Sequence, residues 1–125
     1  MAKKQKSDSS ARYSYEGLDR VMHEKARLGL MTCLAGANEG LTFNELKQLC
    51  GLTDGNLNRH LKQLSDARLV RLDRDDSAGR PQTTCFLTEA GRERFVAYLA
   101  ELQRVVGDAQ QQMQTSKGRG RLAAD

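Results

Sequence analysis

Apolar residues recur at helical spacing through the first third of the chain, after a polar stretch. They form two clusters between residues 15 and 36: Leu18, Val21 and Met22 first, then Leu28, Met31, Leu34 and Ala35. Because residues three and four apart share one face of a helix, this pattern predicts one interrupted helix or two consecutive helices. Residues 1–14 are polar and lysine-rich and predict a disordered arm, which either solubilises the chain or touches phosphate.

A short amphipathic helix is predicted just after a brief extended segment at Leu41. Thr42 followed three residues later by Glu45 fits a capping box, with Asn44 as the competing cap. Its expected buried residues are Phe43, Leu46 and Leu49, and Gly51 marks its end.

A second short helix, residues 53–67, follows almost at once. Thr53 is a favourable N-cap, and Leu57, Leu61 and Leu64 fall on one helical face. The other face is polar and carries Gly55, Asn56, Asn58, Arg59, Lys62 and Gln63. Two short helices joined by a tight turn are typical of a helix-turn-helix, whose second helix enters the DNA major groove. Arg, Asn and Gln can make two-point contacts to base edges; the alternative is a solvated face on an ordinary helix.

The hydrophobic period changes from helical to alternating after residue 67. Residues 69–74 and 82–87 predict two strands, in which Val70 and Leu72 face Cys85 and Leu87. The turn-rich sequence DDSAGRPQ between them predicts a β-hairpin, a wing over residues 74–82.

Two arginines of this wing are candidate contacts to phosphate or to the minor groove: Arg74 at its base and Arg80 near its tip. Asp75 and Asp76 weaken that interpretation, because they would more naturally cap the turn or pair with arginines.

A long helix, residues 88–113, is predicted to follow, with Thr88 as its cap. Its apolar residues alternate spacings of four and three, as in a coiled-coil seam: Phe95, Leu99, Leu102, Val106, Ala109 and Met113. Such a stripe needs a partner, either a second copy of the chain or the first helix of the same chain, and the two are compatible. Residues 114–125 predict a flexible basic tail.

Composition bounds the remaining possibilities. A length of 125 residues fits one domain, and a net charge of +4 with a pI of about 9.1 gives a mild bias toward polyanions. Cys33, Cys50 and Cys85 are widely spaced and set among apolar residues, so they predict buried free thiols rather than disulfides or a zinc site. The polar N-terminus and the lack of a bilayer-length apolar run predict a cytoplasmic protein without membrane contact.

The sequence carries no motif that indicates an enzyme active site. The chain has neither a glycine-rich phosphate loop nor a Ser-His-Asp grouping with a nucleophile turn. The two histidines are read as structural, His23 at the surface or packed and His60 packed and hydrogen-bonded. We therefore predict no catalytic residues, no metal site and no cofactor.

The order of these elements resembles that of winged helix-turn-helix transcriptional regulators of the MarR/ArsR type, particularly their compact stand-alone members. The residues that carry the likeness are ARLGLMTCLAG, LTFNELKQLCGLTDGNLNRHLKQLSDARLV and GRPQTTCFLTEAGRERF. The fold class implied is mainly α with a small β-hairpin, a winged helix-turn-helix with a long C-terminal dimerisation helix. Residues 15–113 would form this domain.

The resemblance implies a homodimer that reads double-stranded DNA at a pseudo-palindromic site. The DNA-facing residues would then be Thr53, Gly55, Asn56, Asn58, Arg59, Lys62, Gln63, Arg74 and Arg80. The dimer interface would comprise Leu18, Val21, Met22, Phe95, Leu99, Leu102, Val106 and Met113. The sequence departs from many members at Arg68, where a glycine often follows the recognition helix. The chain also lacks closely spaced cysteines near the first helix of the motif, so metal sensing is not expected.

Two other functions stay open at this point. A winged helix can serve as a protein-interaction module without base contacts, and the polar face would then be a docking surface. The same fold can also carry a redox or small-molecule sensor, although the apolar settings of the cysteines lower thiol reactivity and no residue set points to an effector pocket.

Overall fold

The computed structural model describes residues 11–77 and 79–123, with side chains to residue 116. These residues form two units: residues 19–96, and residues 11–18 with 97–123. Predicted features at residues 1–10, Ala78, Ala124 and Asp125 lie outside the described residues.

The elements follow the order of a winged helix. They are α1 (Lys25–Ala35), β1 (Leu41–Thr42), α2 (Phe43–Cys50), α3 (Asp54–Asp66), β2 (Val70–Asp75), β3 (Gln82–Leu87) and α4 (Glu89–Ala123). The strands form an antiparallel sheet in the order β1-β3-β2. Val70 pairs with Leu87 and Leu72 with Cys85, as the alternating pattern predicted. The expectation that Leu72 also lies on the inner side was wrong, because it is 39% exposed. The fold class predicted from the sequence is therefore confirmed.

The first predicted helix begins later than expected. Residues 15–24 form turns, and α1 begins only at Lys25, with Glu24 as its N-cap. One cause is local: the Asp19 carboxylate accepts a hydrogen bond from the Val21 N–H at 2.9 Å. Such a side-chain bond to the backbone two residues on closes a turn and competes with helical hydrogen bonding.

Both helices of the helix-turn-helix are capped as predicted. Thr42 and Glu45 form a reciprocal capping box on α2, and the Thr53 hydroxyl accepts from the Asn56 N–H at 3.2 Å on α3. Gly51 ends α2 in the left-handed region, at φ 62°. Leu46 is buried and Phe43 half-buried, but the expectation for Leu49 was wrong: it is 63% exposed.

The end of α3 is closed by a left-handed arginine. Arg68 has φ 63°, its N–H donates to Ser65, and the Leu69 N–H donates to the Leu64 carbonyl. This is the Schellman pattern, which usually places a glycine where Arg68 stands. The buried side chains of Leu64 and Leu69 belong to the same core.

The beginning of α4 is held against the turn that joins α3 to β2. The Thr88 hydroxyl accepts from the Gly91 N–H at 2.9 Å and lies 2.8 Å from the Arg68 carbonyl, to which it donates. A Cβ on Gly91 would come within 2.1 Å of the Leu69 carbonyl oxygen, so only glycine permits this approach. α4 continues to Ala123, past the predicted end at residue 113 and into the residues assigned to a tail.

The core of residues 19–96 is apolar and takes residues from every helix. It contains Met22, Leu30, Met31, Leu34, Leu46, Leu57, Leu61, Leu64, Leu69, Val70, Cys85 and Phe95. Met22 and Phe95, at 0% and 5% exposure, were assigned to the dimer interface; their burial in the chain's own core corrects that assignment.

The thiols differ from the expected isolated buried groups. Cys85 is buried as predicted, but Cys33 and Cys50 are only half-buried. Their sulfur atoms lie 3.9 Å apart, a proximity that their spacing in the sequence did not indicate.

Candidate nucleic-acid interface

The orientation of α3 is fixed by its apolar face. Leu57, Leu61 and Leu64 are buried, and Lys47 of α2 forms an ion pair of 2.8 Å with Asp54 in the first turn of α3. Asp54 also lies where the helix dipole favours a negative charge. Since the apolar face is fixed inward, the opposite face is presented outward.

The outward face of α3 carries the residues that the sequence assigned to contact with DNA. All seven are exposed: Thr53, Gly55, Asn56, Asn58, Arg59, Lys62 and Gln63. A Cβ on Gly55 would meet no atom within 4 Å, so the backbone of the first turn is open to close approach.

The polar side chains of this face are ordered by neighbours within the chain. The Arg59 guanidinium donates to the Asn56 amide oxygen at 3.1 Å, and Lys62 donates to Asp66 at 3.2 Å. Gln63 accepts a hydrogen bond from Arg27 of α1. Lys62 is thus paired with a carboxylate, for which a polyanion would have to substitute, whereas the partner of Arg59 is a neutral amide.

His60 lies at the buried edge of this face and is 4% exposed. Its Nδ1 is 3.4 Å from Arg27 Nη1 and 3.9 Å from a Glu24 carboxylate oxygen. Burial lowers the pKa of His60 below its ordinary value, and the charges of Arg59 and Arg27 lower it further against the opposing effect of Glu24. The histidine is therefore a neutral packing group, as the sequence indicated.

The wing presents Arg74 and Arg80, both exposed. Arg74 donates to Asp76 at 3.2 Å, and Asp75 accepts from the Ser77 N–H and hydroxyl. These hydrogen bonds from Ser77 lower the pKa of Asp75. The two acids thus do what the sequence suggested: one pairs with an arginine and the other caps the turn.

A groove joins the wing to the recognition helix, and the sequence did not indicate it. Asn58 and Arg74 line an open groove of about 300 Å³ together with Phe43, Asn44, Pro81 and Gln82. A second groove, of about 430 Å³, lies beside it between Leu61 and Lys62 of α3 and Leu72 of β2. Asn44 was considered only as a helix cap; its place in the first turn of α2 was the signal that it is exposed.

The residues assigned to a dimer interface differ in their exposure to solvent. Leu18, Val21 and Leu102 are half-buried, whereas Leu99, Val106 and Met113 are 39%, 49% and 64% exposed along α4. Val96, which the sequence did not single out, is 60% exposed.

The described residues contain no group of three or more His, Cys, Asp or Glu side chains able to hold a metal ion. Within the same ranges, no helix combines the length and the apolar character needed to cross a bilayer.

Comparison with known proteins identifies the family. Residues 26–106 match the model of the winged helix DNA-binding domain, which covers more than half of the chain. The chain therefore belongs to the winged helix DNA-binding domain family. An uncharacterized protein of Methanocaldococcus jannaschii is 34% identical over 83 residues, which is 66% of this chain and 89% of that protein.

Solved structures share the fold. A transcriptional regulator homologue from Pyrococcus horikoshii OT3 is 25% identical, with a TM-score of 0.67 over 87% of this chain and 98% of that one. A MarR-family regulator from Silicibacter pomeroyi is 22% identical, with a TM-score of 0.57 over 98% of this chain and 84% of that one. MepR of S. aureus, solved in a complex with DNA, is 17% identical, with a TM-score of 0.63 over 97% of this chain and 98% of that one.

Proposed function

We propose that this chain is a sequence-specific, double-stranded DNA-binding transcriptional regulator that acts as a homodimer on a pseudo-palindromic site. The observation that carries the proposal is the outward face of α3, where Asn58, Arg59 and Lys62 are exposed beside a wing that presents Arg74 and Arg80. The complex of MepR with DNA supports it, because that protein has the same fold.

Base reading is assigned to the donors and acceptors on α3. Arg59 has the geometry to contact guanine by two hydrogen bonds, and Asn56 and Asn58 can do the same with adenine. Thr53, Gly55 and Gln63 complete this surface, with the open backbone at Gly55 allowing close approach.

Positioning on the backbone is assigned to Lys62, Arg74 and Arg80. Each is an exposed cation, and contacts to phosphate fix the register of a protein on the duplex without reading sequence. The groove between Asn58 and Arg74 makes the α3 face and the wing base continuous. The wing then reaches phosphate or the minor groove beside the major groove that α3 occupies.

A homodimer is supported by the apolar stripe on α4. Leu99, Val106 and Met113 are seven residues apart and exposed, as expected for one side of a coiled-coil seam. A second copy of the same stripe is its natural partner, since a two-fold interface brings the same patch together from both chains. Two recognition helices would then read half-sites about one helical turn apart.

The test is a comparison of single substitutions on a site selected from random duplex DNA. We expect Arg59→Ala to weaken binding to that site by about 1–3 kcal/mol and to relax its sequence preference. Lys62→Ala should weaken binding to all sequences alike and reduce the salt dependence by about 0.9 in the log–log slope. Arg92→Ala removes the same charge from an exposed position on α4 and serves as the matched control.

Two results would contradict the proposal. An unchanged affinity for Arg59→Ala would show that this face does not read bases. Binding of the unaltered chain to random duplex weaker than about 10⁻⁴ M at moderate salt would fall below ordinary non-specific affinity and favour a protein-interaction module.

A further inference from the structure

Two half-buried cysteines meet at the ends of two helices. Cys33 lies in the last turn of α1 and Cys50 is the last residue of α2, and their Sγ atoms are 3.9 Å apart. A disulfide bond is about 2.05 Å long, so the two sulfurs need to approach by about 2 Å. Each cysteine is followed closely by a glycine, Gly36 or Gly51, where the chain leaves its helix.

The pair is open to small molecules. Both cysteines line a cleft of about 770 Å³ between α1, α2 and α3. Gly29, one turn before Cys33, adds no side chain over the pair: a Cβ there would stand 3.8 Å from the Cys50 sulfur. Cys85 offers the contrast, because it is fully buried and burial raises its pKa to about 11.

We propose that Cys33 and Cys50 form a reversible intramolecular disulfide, and that this cleft is the site where a small thiol–disulfide couple exchanges with the protein. The geometry supplies two thiols within reach of each other and of solvent, while the third thiol is shielded.

The exchange proceeds in two balanced steps. One cysteine thiolate attacks a sulfur of a small disulfide, forms a mixed disulfide and expels one small thiolate. The second cysteine thiolate then attacks the protein sulfur of that mixed disulfide and expels the second small thiolate. The protein loses two electrons and two protons, and the small disulfide is reduced to two thiols.

The surroundings make this exchange slow at neutral pH. Burial, the neighbouring Cys33 charge and the hydrogen bond with Cys33 raise the pKa of Cys50 to about 11. Both sulfurs also lie near helix C-termini, where the helix dipole disfavours a thiolate. The rate should therefore increase with pH through the alkaline range.

The bond would connect α1 to α2 immediately before the turn that leads into α3. The same cleft is lined by Asn56 and Arg59 of α3, so a shift of the two sulfurs acts next to the recognition helix. We expect the oxidised form to bind DNA about tenfold more weakly, an expectation that rests on the function proposed above.

Peptide mapping tests the bond directly, because trypsin separates the three cysteines. Cys33, Cys50 and Cys85 fall in separate tryptic peptides, residues 28–47, 48–59 and 75–92. The full chain is equilibrated with mixtures of reduced and oxidised glutathione, quenched with acid, alkylated with N-ethylmaleimide and analysed by mass spectrometry. We expect peptides 28–47 and 48–59 to be joined within the monomer, reversibly and with the glutathione ratio, while 75–92 carries no crosslink.

The Cys33→Ser variant is the control, and it should yield no joined peptides under any ratio. Recovery of 28–47 and 48–59 as separate peptides from the unaltered chain, alkylated or carrying glutathione, would overturn the proposal. So would a crosslink found only between two chains. A joined peptide in a protein that binds no DNA when reduced would support the disulfide and contradict only the proposed regulator function.

Discussion

The helix α3 and the distal part of α4 are both amphipathic, but α3 exposes its polar face and the distal part of α4 exposes apolar residues. α3 buries Leu57, Leu61 and Leu64 and presents amides and cations. The described part of α4 beyond residue 96 instead leaves Leu99, Val106 and Met113 exposed. An exposed polar face is ordinary for a helix, whereas an exposed apolar stripe is not, and the proposed homodimer rests on it.

The other side of α4 sharpens this contrast, because the N-terminal segment covers it with polar contacts. The Tyr15 hydroxyl donates to Asp108 at 2.7 Å, the Gly17 N–H donates to Glu101 at 3.2 Å, and the Arg104 guanidinium lies 5.2 Å from the Tyr15 ring centroid. The chain thus satisfies the polar side of this helix by itself and leaves the apolar side for another surface. The two helices thus match the two proposed partners, DNA for α3 and a second copy of the chain for α4.

The largest effect on stability is expected from a comparison of two glycines of α4, one near its packed beginning and one in its distal part. Gly91→Ala places a Cβ 2.1 Å from the Leu69 carbonyl oxygen and should destabilise the chain by about 3 kcal/mol or more. Gly107→Ala meets no atom within 4 Å and should stabilise its helix by about 1 kcal/mol. Thermal unfolding followed by circular dichroism measures both, and equal behaviour of the two variants would show that α4 is not packed against Leu69.

The apolar stripe is tested by placing charge on it. The double variant Leu99→Glu, Val106→Glu should weaken self-association by about a hundredfold or more, because two apolar side chains per chain are replaced by carboxylates. Gln111→Glu adds a charge to another exposed position of α4 and should leave association unchanged. Sedimentation equilibrium reads the dimer constant, and a monomeric unaltered chain at high concentration would contradict the dimer.

The stability of the chain should depend on pH through His60, at the buried edge of the α3 face. Because the pKa of His60 is lowered in the folded chain, chiefly by burial, the unfolded chain binds more protons below the ordinary value of 6.5. Stability should be fully present above pH 6.5 and be lost as the pH falls from there toward the lower folded-state pKa. In His60→Gln the denaturant midpoint should no longer fall as the pH is lowered through this range. An unchanged pH dependence of the midpoint would assign the effect to another group.

The smallest effect concerns the end of α3. Arg68→Gly relieves a left-handed non-glycine residue at φ 63° and should stabilise the chain by about 1 kcal/mol. Arg92→Gly, the same replacement inside α4, should cost about 1 kcal/mol instead. Chemical denaturation measures the change in the free energy of unfolding for both variants. Changes of the same sign would contradict the assignment of strain to Arg68.

Most of the winged helix could be predicted because its signals are local. The Thr42–Glu45 capping box and the Thr53 cap depend on neighbours in the sequence, and both were confirmed. The alternation in β2 predicted how Val70 and Leu72 pair with β3, but Leu72 is 39% exposed. The resemblance added the arrangement of these elements, which the family match confirms.

The features that the sequence missed depend on tertiary packing. Leu49 has the spacing of a buried residue but faces the cleft, and the meeting of Cys33 with Cys50 requires α1 and α2 to be placed side by side. Residues 15–24 carry a helical pattern but form turns, one of them closed by a hydrogen bond from the Val21 N–H to the Asp19 carboxylate. The contacts of DNA and of a second chain lie outside one folded chain, so the roles of the α3 face and the α4 stripe stay predictions.

Selection of bound sequences from a pool of random duplexes tests the central claim most directly. If two copies of the α3 face read DNA together, the pool should become enriched in an inverted repeat with half-sites about one helical turn apart. The Arg59→Ala variant should lose preference at a symmetric pair of positions within that repeat. A pool that stays random after repeated rounds would contradict base reading by this face, and an enriched sequence without symmetry would contradict the dimer.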